Sequence, residues 1–276
     1  LINTLINIYI FLQYIYIDIT RVCIYTMNTT IILPKHHAGF FSTTTIILFE
    51  IINYFKKNCV NPICIDSSHT FTWYRNSEKN IFLEFFKIKN INTIDNISLD
   101  YFDYELRGGL QFKKYSDYKL DIYFKYVDVY FNLSDNVLDI YNNMIHKYNI
   151  NCDNTCCLFL RGNDKATECS IPSYDKYLIK GKELLKSNPT LKFLIQSDEK
   201  EFIEEMCKNF PNNIVFNDEI RVISKNINKT VDNHGKTPEI NHKFALNFLA
   251  IVYIMSKCKY VICNSGNISF WVLMYI

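Results

Sequence analysis

Glycine is scarce in this chain, seven in 276 residues, and none of the seven forms GxGxxG or GxxxxGK[ST]. Those spacings let a backbone close around a phosphate, so their absence argues against an ordinary dinucleotide fold and against a P-loop enzyme. A block of one charge sign is missing too. The formal net charge is +2, with 30 Lys and Arg against 28 Asp and Glu, and no basic stripe concentrates it. Dedicated nucleic-acid binding is therefore excluded, although a local phosphate site needs no global charge. Paired C-x-x-C sets are also absent: the cluster Cys152, Cys156 and Cys157 lacks zinc spacing, so no metal site is expected. Proline numbers six, while Ile, Asn, Lys, Tyr and Phe dominate. That bias matches AT-rich coding, and isolated Asn, Lys or Tyr residues carry little weight.

Residues 1–26 form an apolar leader interrupted by Asn3, Asn7 and Gln13. The segment reads either as a weak signal-anchor over 1–19 or as read-through of untranslated sequence ahead of Met27. Cys157 and Cys263 sit in apolar runs and read as core residues, which favours a reducing, cytoplasmic setting. A real anchor would instead place the protein at a Golgi or ER membrane. The sequons at Asn28, Asn96, Asn132, Asn228 and Asn267 are uninformative in so Asn-rich a chain.

The fold class expected is α/β, with two lobes of mostly parallel sheet facing a central cleft. An N-terminal lobe over 27–148 begins with a strand at Thr29–Leu33, a helix at Thr43–Lys57 and a strand at Asn61–Asp66. Handedness rules place the intervening loop, with His36, His37 and Gly39, at the carboxyl end of these strands. The histidines read either as an exposed turn or as a substrate contact. Thr70–Ser134 is aromatic, and its alternating stretch Lys119–Tyr130 suits strands or an irregular covering layer. A helix over Asn136–Tyr148 leads to a polar linker at Asn149–Asn154.

The C-terminal lobe, 149–276, alternates strand and helix regularly. Strands are expected at Cys156–Arg161, Leu191–Gln196, Asn213–Phe216 and Lys259–Cys263, with helices at Ser173–Lys186, Glu199–Asn209 and Ile240–Ser256. A last helix follows the turn Asn264–Asn267. The stretch CLFLRGNDKATE matters most, because an apolar strand ends there abruptly in charge. In α/β proteins ligands gather beyond the carboxyl ends of the strands, so Arg161 and Lys165 are candidates for an anionic group. A solvated turn would carry the same charges. Two further strand ends converge on that face: Ser197 with Asp198, and Asn264–Asn267. In the latter, Ser265, Gly266 and Asn267 precede a helix whose N–H groups suit an oxyanion or phosphate.

The segments FLRGNDKATE, FLIQSDEKEFIEEM and IMSKCKYVICNSGNISFW resemble, in order and approximate spacing, the motifs of the GDP-fucose-dependent α-1,6, α-1,2 and protein O-fucosyltransferase superfamily. The resemblance covers roughly the last 125 residues. It implies a GT-B architecture of two Rossmann-like lobes, with the nucleotide sugar on the C-terminal one, and inverting, metal-independent transfer of fucose to a glycan or protein hydroxyl. No cofactor beyond the GDP-fucose donor is implied. Arg161 falls on the arginine that pairs with the donor β-phosphate; Asp164 and Lys165 match the acidic and basic positions that follow. Glu168 lies near the catalytic carboxylate, one residue short of the family spacing, and can equally pair with Lys165. Gly162, Asp198, Ser265, Gly266, Asn267, His37 and Gly39 complete the expected substrate contacts, although an Asp at position 198 can also serve as a helix cap. The chain departs from the motif at Phe159, in place of histidine, at Gly162, in place of a second arginine, and at Ile251, where the family often carries Asp. An inactive nucleotide- or glycan-binding homologue, or another Rossmann-like phosphate enzyme, are the alternatives.

Overall fold

The computed structural model describes residues 30–33, 35, 37–89, 120–229 and 237–276. The leader, the sequons at Asn28 and Asn96, His36 and much of the aromatic stretch before 120 lie outside the described residues. In chain order, strand β1 (Thr30–Ile32), helix α1 (Phe40–Asn58) and strand β2 (Cys64–Asp66) come first. Helix α2 (Phe82–Phe85), strand β3 (Phe86–Lys87), helix α3 (Leu120–Tyr130), strand β4 (Asn132–Leu133) and helix α4 (Asp135–Lys147) follow. The remainder is β5 (Thr155–Leu160), α5 (Tyr174–Ser187), β6 (Lys192–Ser197), α6 (Lys200–Asn209), β7 (Asn213–Ile214), α7 (Pro238–Lys257), β8 (Tyr260–Cys263) and α8 (Asn267–Met274).

The four C-terminal strands make one parallel sheet in the order β7-β6-β5-β8. All six residues of β5, TCCLFL, are buried, which explains why this strand reads as a continuous apolar run: both of its faces are covered. Cys156, Leu158 and Leu160 face a cluster with Tyr177, Phe202 and Phe210 from α5, α6 and the turn after α6. Cys157 and Phe159 face a larger cluster that extends through α7 and α8 to Phe40 and Phe49 of α1. Burial pushes the Cys156 thiol up to about 12, so it stays protonated and serves as a small apolar group.

The N-terminal elements pack on that larger face. Strands β1 and β2 pair in parallel and β3 with β4 antiparallel. Helix α8 packs against α1, α3 and α7, and its Trp271 donates its indole N–H to Thr45 Oγ1 of α1 at 2.9 Å. Tyr275 donates its hydroxyl to the Phe131 carbonyl at 3.0 Å. His242 of α7 adds a polar tie: its ring nitrogens lie 3.1 Å from the Tyr74 carbonyl and 2.9 Å from the Glu84 carboxylate.

Lys119–Tyr130 requires a correction, because Leu120–Tyr130 is a helix. Tyr123, Tyr126, Val127 and Tyr130 are buried while Asp121, Phe124, Lys125 and Asp128 are exposed, a helical stripe. The strand preference of Tyr, Phe and Val yields to packing on α1 and α8. Helix α1 also starts earlier than expected, at Phe40 instead of Thr43; Thr44 and Thr45 are accommodated by donating their hydroxyls to the Phe40 and Phe41 carbonyls at 2.9 and 2.8 Å. Among the described residues no helix is long and apolar enough to cross a membrane.

Gly181 in the middle of α5 shows packing set against propensity. A Cβ there would lie 2.5 Å from Phe210 Cζ, and the Phe210 ring is stacked on Phe193 with centroids 4.1 Å apart. Gly181→Ala in an exposed helix would add about 1 kcal/mol of stability; here overpacking is expected to cost about 1–3 kcal/mol, read by denaturant unfolding. A more stable variant would contradict this packing.

Candidate functional site

Register places the site. Leu160 of β5 pairs with Ser197 of β6, and Phe159 pairs with Cys263 of β8. Strands β5 and β6 therefore stop level, so Arg161 stands beside Asp198, while β8 stops one residue short and Asn264 lies level with Leu160. Between β5 and β8 the chain order of the sheet also reverses direction, the place where an open parallel sheet leaves a crevice.

Asn264 continues the ladder beyond the strand end with its side chain. Its Oδ1 accepts the Arg161 N–H and its Nδ2 donates to the Arg161 carbonyl, both at 2.9 Å. The Arg161 backbone is thus held, and its guanidinium is held as well. Nη2 lies 2.6 Å from Asp164, and Nη1 contacts Asp198, whose other oxygen accepts the Gly162 N–H at 2.8 Å. Burial raises the Asp198 carboxyl above its ordinary value, with Arg161 and the Gly162 N–H pulling it back. Lys165, itself buried, pairs with Glu168 at 2.5 Å.

Beneath these charges, Glu199 is the buried anchor of the 161–165 turn. Its carboxylate accepts the Asn163 N–H at 2.8 Å and the Tyr174 hydroxyl at 2.6 Å. Asn163 sits in the left-handed region at φ 46° and donates its side-chain amide to the Asp198 carbonyl at 2.9 Å. A Cβ at Gly162 would fall 2.1 Å from Glu199 Oε1. This close approach accounts for the glycine and leaves no room for a second arginine at that position.

A cleft of about 340 Å³ opens above this turn. Gly39, Arg161, Asp164, Lys165, Glu168, Asp198, Gly266 and Asn267 all line it. Gly162 and Ser265 do not, and His37 lies outside, its Nδ1 3.1 Å from Thr72 Oγ1 at an exposed position. Gly39 precedes α1 and brings the N-terminal elements to the cleft, with Phe41 and Trp73 beside it. The backbone at Gly266 is extended, and a Cβ there would meet nothing within 4 Å. Gln196, Glu199 and Arg221 escaped the sequence reading as site residues, and Asn264, expected only as the start of a site-bearing turn, proves to hold the Arg161 backbone. Arg221 lies in a long loop with no periodic signal; the guanidinium sits 4.0 Å over the Phe244 ring and donates to Asn241 at 2.8 Å.

The formal charges lining the cleft balance: Arg161, Lys165 and Arg221 against Asp164, Glu168 and Asp198. An anion that engages Arg161 or Lys165 must therefore take that cation from an internal carboxylate. Dry walls and preset cations make that exchange favourable for a multiply charged group such as a diphosphate, which offers more acceptor oxygens than one carboxylate.

A parallel sheet whose carboxyl edge carries a charged cleft, closed from above by a second set of α/β elements, defines a GT-B-like α/β protein. Among solved structures the fold is similar to the fucosyltransferase NodZ from Bradyrhizobium, with a TM-score of 0.55 and 11% identity over 91% of this chain and 94% of that one. NodZ α-1,6-fucosyltransferase soaked with GDP-fucose matches at TM-score 0.52 and 10% identity, over 89% of this chain and 92% of that one. The same enzyme co-crystallised with GDP matches at 0.52 and 11%, over 91% and 93%. No protein-family model matches the sequence, and no curated protein does.

Gly162 and Gly266 are expected to respond oppositely. Gly162→Ala drives a Cβ into a carboxylate held by two donors and should lower stability by about 1–3 kcal/mol; Gly266→Ala should stay within about 0.5 kcal/mol of wild type. Denaturant unfolding of both variants checks this. Asp164→Asn, which loosens one partly exposed partner of Arg161, should tighten pyrophosphate binding roughly two- to fivefold by calorimetry; weaker binding would show that Asp164 is more than a counter-ion.

Proposed function

We propose that the chain is a glycosyltransferase that uses a nucleotide-sugar donor, GDP-fucose first among them, and transfers the sugar to a hydroxyl of a glycan or protein. The observation that carries this reading is the Arg161 guanidinium, fixed at the carboxyl end of β5 and facing the cleft. The fold it stands in is shared over about nine-tenths of the chain with an enzyme soaked with GDP-fucose.

The acceptor oxygen attacks the anomeric carbon from the face opposite the diphosphate, the bond to the β-phosphate oxygen breaks, and the sugar's configuration inverts. The electron pair leaves with the diphosphate. Arg161 and Lys165 neutralise that growing charge, which gives the reaction its cations without calling on a metal. Lys165, on turning to the phosphate, releases Glu168. The freed carboxylate takes the acceptor hydroxyl proton as general base. Gly39 and the start of α1 form the opposite wall and face the acceptor. The N-terminal elements over 27–148 and the C-terminal elements over 149–276 then divide acceptor and donor duties.

A second reading, a binding module without turnover, draws on Arg161 already being engaged by Asp164 and Asp198 and on Glu199 filling the place of a second cation. Turnover separates the two.

GDP or GDP-fucose is expected to raise the melting temperature of the wild type. Arg161→Ala leaves Asp198 buried without its counter-ion, so Arg161→Lys is the cleaner variant. It should lose roughly one to two decades in kcat/KM, the worth of one charge-assisted contact of about 1.5–3 kcal/mol. Gly266→Ala should weaken GDP binding at unchanged stability. No thermal shift with any nucleotide sugar would end this reading; binding without transfer or hydrolysis would select the second.

A further inference from the structure

Gln196 is the last residue but one of β6, opposite Phe159 in the register. Two residues beyond Leu194, it projects to the same face of the sheet, toward α7 and the cleft that it lines. The residue is 5% exposed, and its side-chain carbonyl oxygen is sealed from solvent with no hydrogen-bond partner among the described residues. A buried amide without a partner is costly, and native folds retain few of them.

Its surroundings indicate what would complete it. Phe159 and Ile251 line the cleft there, with Phe244 and Phe248 stacked at 5.3 Å and 18° between ring planes. The Arg221 guanidinium caps Phe244. Asp198, two residues on in the chain, has one oxygen committed to Gly162 and the other to Arg161. Aromatic and aliphatic side chains thus line this part of the cleft, with the Arg221 guanidinium and the Gln196 carboxamide as its polar groups. Turned about its last side-chain bond, the carboxamide presents that sealed oxygen and its N–H side by side to the cleft, where a planar heterocycle that shows an N–H beside an acceptor fits.

We propose that Gln196 is a specificity-determining residue that reads the donor nucleobase through one such N–H and acceptor pair. On guanine the pair is N1–H with O6. The 2-amino group of guanine then goes unread, since only a carboxylate would accept from N1–H and N2–H together. This inference rests on the nucleotide-sugar reading and adds to it the chemistry by which the base is selected.

Calorimetry with GDP, IDP and pyrophosphate on the full chain tests it. The wild type is expected to bind GDP and IDP within about threefold of each other. Gln196→Leu should weaken both by roughly tenfold and leave pyrophosphate unchanged, the effect of losing one paired contact. Gln196→Glu, which supplies two acceptors, should favour GDP over IDP by roughly tenfold. Tenfold weaker IDP binding to the wild type, or Gln196→Leu with unaltered GDP affinity, would overturn the role of Gln196 while the nucleotide-sugar reading stands. If neither GDP, IDP nor pyrophosphate binds the wild type, both readings fall.

Discussion

The staggered ending of three parallel strands, with β8 one residue short of β5 and β6, is the constraint on which the rest of the site depends. Because β5 and β6 stop in register and β8 one residue earlier, Asp198 stands beside Arg161 and the Asn264 side chain reaches forward to its backbone. The Asn264 side chain pairs with both backbone groups of Arg161 and extends the sheet by one residue where the chain itself turns away. A one-residue slip of β8 would send Asn264 to the opposite face and leave the arginine backbone unpaired. The turn that follows is tied down from below by Glu199, whose two oxygens serve Asn163 and Tyr174. Preorganisation of this kind lets a guanidinium act on developing charge without first being ordered.

The same ties set the electrostatic character of the cleft. Each basic group along its sheet side is matched by an internal carboxylate, so the cleft stays close to neutral until a ligand arrives. A neutral resting cleft keeps buried cations from standing uncompensated, which would be far costlier than the pairing. Exchange of carboxylate for diphosphate then couples donor binding to the release of Glu168 in the proposed mechanism. Cation supply and proton acceptance become two ends of one rearrangement.

Much of the C-terminal half was legible in the residues. The apolar run at β5, bounded by charge, marks a strand covered on both faces, and the regular alternation of strands and helices marks a parallel sheet. The aromatic stretch was harder: Tyr and Phe have no strong secondary-structure period of their own. Leu120–Tyr130 showed its helical stripe only once α1 and α8 supplied a surface to bury it. Gly162 reads as a lost motif position in the sequence, whereas the fold shows a glycine required by Glu199, 37 residues away in the chain. Nothing near Glu199, Gln196 or Arg221 in the sequence distinguishes them from ordinary polar residues, since their meaning comes from burial and partners.

Local chemistry determined the candidate set: Arg161, Asp164, Lys165 and Glu168 are close in the chain, and an apolar strand that ends in charge announces itself without a fold. Strand registry and long-range packing decided which of them face the cleft, which are already paired, and that Ser265 and His37 stand aside. The physical reason is range. Hydrophobic periodicity and turn preference act over a few residues, whereas hydrogen-bond partners at positions 161, 198 and 264 are chosen by the sheet, and the unsatisfied amide of Gln196 exists only because the whole chain has closed around it.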